Sequence, residues 1–107
     1  MKSFEDREKA FEAEFKRNQE LQFRVGARRN RLFGLWAAGK LGIDGGEAAE
    51  AYARTVVEAD FEKPGDSDVV EKVRGDLSAK GIEMSEAQLR AELTRVADEA
   101  KRQLSQG

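Results

Sequence analysis

In 107 residues there is room for one domain and one modest core, and a chain of this size buries about 60 to 70% of the surface its unfolded state exposes. Charged residues make up 37% and aromatics 7%, with a single proline, which suits exposed helical faces and argues against a Pro-rich disordered tail, while the net charge of -2 argues against general affinity for nucleic acid. Cysteine and histidine are both absent, so disulfides, thiolate zinc sites and the commonest general base are excluded, and an enzyme would have only carboxylates or lysines to work with. The opening MKSFEDREKAFEAEF has no apolar signal core and no run approaches a membrane span, so a soluble cytoplasmic protein that does not cross the membrane is expected.

The N-terminal segment has helix propensity of its own. Ser3 and Asp6 form an S-x-x-D cap, Glu5 with Lys9 and Glu12 with Lys16 sit at i,i+4, and Phe4, Phe11 and Phe15 share one face. Continued by heptads, that face meets Asn18 and Gln22, so it is out of register with the apolar stripe that begins at Leu21. Ion pairs of this kind add about 0.2 to 0.5 kcal/mol each, and isolated helices this short are marginal, so residues 1–19 are expected to be partly disordered when free. They are either a solvated extension of the first helix or a segment that folds onto a partner with its phenylalanines as anchors.

From Leu21 the stripe continues through Val25, Leu32, Leu35 and Trp36 to Leu41, where Gly42 is placed to cap the helix. Asp44 with Glu47 resembles a capping box for a second helix whose stripe is Ala49, Tyr52, Val56 and Ala59. Lys63-Pro64-Gly65 ends it. Asp66 or Ser67 can cap a third helix, with Val70, Val73 and Leu77 on one face and Gly81 beyond its end. The last helix starts at an S-x-x-Q box, Ser85 and Gln88, with Met84 stapled to Leu89, and carries Leu89, Leu93, Val96, Ala100 and Leu104 inward. Helices near 20–41, 47–62, 68–80 and 86–104 joined by short links predict an all-α, antiparallel four-helix bundle over residues 20–107, with Trp36 in its core.

Residues 34 to 41, GLWAAGKL, have the spacing of a phosphate-binding loop up to its last position. Leu41 stands where that loop needs a hydroxyl for magnesium, the intervening residues are bulky helix formers, and no strand precedes them, so the motif fails chemically. Gly34 and Gly39 read better as small residues that let a neighbouring helix approach. Arg28 on one edge of the apolar stripe, and Arg29 and Lys40 on the other, either snorkel over the core or form an anion site, where guanidiniums hold nucleotide phosphates and the Trp36 indole stacks a base. The acidic clusters at Glu47 and Glu50 and at Asp60 to Asp68 lack the pattern of a calcium loop and the cleft of a glycosidase, and read as solvated faces and helix-start charges.

FEDREKAFEAEF at residues 4 to 15, ARRNRLFGLWAAGKLG at 27 to 42 and YARTVVEADFEKPGDSDVVEKV at 52 to 73 together resemble the ATPase inhibitor subunit zeta family of bacterial F-type ATP synthases. The resemblance implies a regulatory bundle, not an enzyme, that binds the catalytic head of the synthase and blocks ATP hydrolysis with its N-terminal segment. It makes Phe4, Arg7, Phe11 and Phe15 the partner-binding residues. It also implies that ADP or ATP can act as a regulator on the bundle, with no cofactor required, without fixing which residues touch it; Arg28, Arg29, Trp36 and Lys40, on and at the edges of the stripe, are the candidate nucleotide contacts. The chain is then expected to be a monomer when free and peripheral at the inner membrane when bound to the synthase. A nucleotide-sensing adaptor without inhibitory activity is the alternative.

Overall fold

Helix ends are set by local chemistry that the sequence carries openly. The computed structural model describes the backbone of residues 2–62 and 66–106 and the side chains of 18–60 and 67–105. It contains four helices, α1 Lys2–Lys40, α2 Gly46–Glu62, α3 Asp66–Ala79 and α4 Glu86–Gln106, and no strand among the described residues. At the end of α1, Gly42 takes a φ of 74°, which brings the Ile43 amide to the Ala38 carbonyl at 2.9 Å and the Gly42 amide to the Gly39 carbonyl at 3.3 Å. Gly81 repeats this motif after α3, with Ile82 donating to Leu77 and Gly81 to Ser78, both at 2.9 Å. At the start of α4 the box closes in both directions: the Ser85 amide donates to Gln88 Oε1 at 2.9 Å and the Gln88 amide to Ser85 Oγ at 3.1 Å. The start of α2 departs from expectation, because Gly45 and not Asp44 holds the cap position and its carbonyl accepts the Ala49 amide at 3.0 Å. Gly45 turns the chain with a φ of 95° that an aspartate would adopt only under strain.

The core is built from Phe33 and Ala37 of α1, Val56 of α2, Val69, Val70, Val73 and Leu77 of α3, and Leu89, Leu93 and Val96 of α4. All four helices therefore feed one core, and α1 packs along α2 and α4. The inward line of α1 is Asn30, Phe33, Gly34, Ala37 and Ala38, rotated from the expected stripe: Trp36 is half-buried and packs against the core from its side, as Leu32 does. LFGLWAAG is apolar all round and gives a helical wheel no polar face to orient it, so the closest approach of α2 decides. That approach is at Gly34, where a Cβ would lie 2.7 Å from the Ala53 Cα. Gly39 has open space around it, so the expectation of a second close approach there is not met.

Leu21 is also misplaced by the stripe, being 47% exposed. Asn30 meets Asp60 near the end of α2, and Arg28 meets Gln103 near the end of α4. At about 1.5 Å per residue, Leu21 lies roughly 10 Å beyond Arg28, while α4 has only three more residues to offer. Residues 18–24 are all exposed. The packed part of α1 thus begins at Val25, and the helix continues out of the bundle to Lys2 instead of starting near residue 20.

Candidate functional site

The end of the bundle from which α1 departs concentrates the unusual chemistry. Asn30 is the buried polar residue of the described core, at 1% exposure. It is satisfied from both sides: its Nδ2 donates to Asp60 Oδ2 at 3.1 Å, and its Oδ1 accepts from Arg29 Nε at 3.1 Å and Nη2 at 3.0 Å. The arrangement ties α1 to the end of α2 through a charge-assisted chain, Arg29 to Asn30 to Asp60. On the other side of the helix Arg28 Nη1 donates to Gln103 Oε1 at 3.0 Å, and Gln103 Nε2 donates to Glu99 Oε1 at 3.2 Å, which ties α1 to the end of α4. Arg31 forms a two-pronged ion pair with Glu50 of α2, and the hydrogen bond from that guanidinium holds the exposed Glu50 carboxyl below its ordinary pKa.

Among the described residues, two arginine-lined grooves flank these ties, beside a smaller one of about 150 Å³ at the Asn30–Asp60 join. One, about 530 Å³, is walled by Phe23, Arg24, Arg28 and Arg31 of α1 and floored by Val57 of α2 and Leu104 of α4. Phe23 stands 62% exposed at its mouth. The other, about 370 Å³, brings Arg29 together with Arg90, Thr94, Asp98 and Lys101. Arg28 and Arg29 thus open onto different grooves. Trp36 and Lys40 lie about 10 to 18 Å farther along α1, where the Trp36 ring stacks on Phe33 at 5.7 Å between centroids and Lys40 Nζ sits 5.8 Å from the indole centroid. The four residues expected to share a nucleotide therefore fall into three places on the surface. Phe4, Arg7, Phe11 and Phe15 have side chains outside the described residues.

Leu104, expected on the inner face of α4, is half-buried and contributes to the first groove. Reading the sequence by apolar stripes missed Phe23, Arg24 and Arg31 as groove residues and Asn30 with Asp60 as a buried polar join. The signal that could have found them is Phe23 itself, a large apolar residue beside Arg24 and outside the core line.

Chemically, this end of the protein offers guanidinium donors beside apolar and aromatic surface, which suits binding of anionic or amphipathic partners. A second polar cluster lies elsewhere: the Tyr52 hydroxyl donates to Asp76 Oδ2 at 2.7 Å, and Lys72 Nζ lies 3.1 Å from the same oxygen. Burial, together with the Asp76 carboxylate, pushes the Tyr52 hydroxyl above its ordinary pKa, so it stays protonated and serves as a structural donor and not as a base. Among the described residues no helix is long and apolar enough to cross a membrane.

A family model described as ATPase inhibitor subunit zeta matches residues 1–103. The chain is also similar to a protein with a solution NMR structure, at 49% identity, over 80% of this chain and 96% of that one, with a TM-score of 0.69. Among curated proteins none matches. The residues that carry the sequence pattern, the bundle they form and a family match over nearly the whole length agree: the chain belongs to the ATPase inhibitor subunit zeta family.

Proposed function

We propose that this protein is a regulatory subunit that binds the catalytic head of the F-type ATP synthase and inhibits ATP hydrolysis through residues 1–19. One observation carries the reading: α1 leaves the bundle at Val25 and continues as helix to Lys2, a projection of about 35 Å at whose root every residue from 18 to 24 is exposed. A helix of that length with an exposed root is suited to insertion between the subunits of a partner, with the bundle as its stop. Its family membership supports the inhibitory sense. Peripheral location at the inner membrane follows from the partner alone.

Phe4, Arg7, Phe11 and Phe15 are the proposed contacts on the head. Fully burying one phenylalanine is worth about 1.5 to 3 kcal/mol, whereas an exposed ion pair is worth about 0 to 1 kcal/mol. Alanine at Phe4, Phe11 or Phe15 should therefore weaken inhibition of ATP hydrolysis more than a charge reversal at Glu5 or Lys9. Equal inhibition by the triple alanine variant and the wild type would overturn the assignment of these anchors.

ADP or ATP belongs to the proposal as a regulator and not as a required cofactor. Because Arg28, Arg29 and the Trp36–Lys40 pair occupy separate places, amide shifts across residues 28–40 on adding ADP would tell which of them a nucleotide uses. No shift at millimolar ADP would remove the nucleotide from the account.

A further inference from the structure

The geometry points to a second docking surface for the same partner, the Phe23–Arg24–Arg28 groove at the root of the projecting helix, which receives an acidic, amphipathic segment of the ATPase head. This rests on the proposed function and adds a site on the bundle to the one on the arm.

Three observations carry it. The groove combines an exposed aromatic wall, Phe23, with an apolar floor of Val57 and Leu104, a shape and chemistry that takes a large apolar side chain. Its remaining wall is cationic, and no carboxylate lines it among the described residues. Among the described residues, Arg31 of its three guanidiniums is paired with an acid, Glu50, while Arg28 is held by the neutral amide of Gln103 and Arg24 is exposed. A chain of net charge -2 that gathers three guanidiniums around one apolar hollow, with one of them paired to an acid among the described residues, is complementary to a negative partner carrying an apolar anchor. The groove also adjoins the proposed arm, so a partner gripping residues 1–19 passes this surface. Two linked contacts raise affinity beyond either alone, since the first supplies the second at high effective concentration.

The test uses the full-length chain and measures its affinity for the purified ATPase head. Phe23→Ala and Arg24→Glu alter exposed side chains, so their thermal unfolding should match the wild type. Each variant should bind the head at least tenfold more weakly, and the salt dependence of binding should be shallower for Arg24→Glu than for the wild type. Variants within twofold of a wild type that binds and inhibits would overturn this surface and leave the proposed function standing. A wild type that does not bind the head would overturn both. Loss of a wild-type dimer on Phe23→Ala, or ADP protecting the groove with no effect of either variant on the head, would reassign the surface to a second copy or to a nucleotide and overturn the inference.

Discussion

Gly34→Ala and Gly39→Ala are the same chemical change on the same helix, and the structure assigns them opposite signs. A methyl at Gly34 would lie 2.7 Å from the Ala53 Cα and 3.0 Å from its Cβ, against about 3.5 to 4.0 Å for carbon atoms in contact. The obstacle is backbone and cannot swing away, so α1 and α2 must separate by about 1 Å. Overpacking of this kind costs about 1 to 3 kcal/mol, and the gain in helix propensity returns at most about 1 kcal/mol. The separation also strains the Asn30–Asp60 hydrogen bond, one turn away at 3.1 Å. A net loss of about 1 to 2 kcal/mol should lower the melting temperature by about 5 to 10 °C in a domain of this size. At Gly39 nothing lies within 4 Å of the new methyl and φ is not positive, so the propensity gain stands alone and the melting temperature should rise by about 2 to 5 °C. Circular dichroism melts of both variants decide it. A stabilised Gly34→Ala, or shifts of the same sign in both, would refute the close packing of α1 on α2 described above.

Asn30→Ala removes the amide that joins Arg29 to Asp60 and should cost about 1.5 to 3 kcal/mol, seen as a lower urea midpoint at unchanged slope. For Tyr52, the hydroxyl pKa is raised in the folded state, so the folded protein holds that proton more tightly than the unfolded chain. The stabilisation is complete below about pH 10, the unfolded value, and is lost as pH rises beyond it. Tyr52→Phe should cost about 1 kcal/mol near neutrality and flatten this alkaline loss. Urea titrations of the wild type and the variant between pH 8 and about 11 would show it.

Much of the fold was legible because its signals are local. Gly42, Gly81 and the Ser85–Gln88 pair act within a few residues of themselves, and the inward faces of α3 and α4 alternate with charged residues that orient them. The register of α1 was not legible, for the opposite reason. Between Leu32 and Gly39 every residue is apolar or glycine, and the inward line is chosen by Ala53 on another helix, a partner no periodicity in α1 encodes. Ala53 lies on the predicted face of α2, between Ala49 and Val56, but nothing in α2 alone tells which of its small residues makes the closest approach. At the candidate site, the arginines stood out in the sequence, but their division did not. Adjacent positions on a helix differ by about 100°, enough to send Arg28 and Arg29 to different grooves. Asn30, buried between them, looked like one more polar residue in a charged run.

Inhibition by the projecting helix is the central claim, and ATP hydrolysis by the matching ATPase head tests it most directly, titrated with the full-length chain and with a chain beginning at residue 19. Full-length protein should suppress hydrolysis in a saturable way. The shortened chain should retain the bundle's thermal unfolding, because the packed part of α1 begins at Val25, and should leave hydrolysis close to its uninhibited rate. Inhibition that survives removal of residues 1–18 would contradict the account.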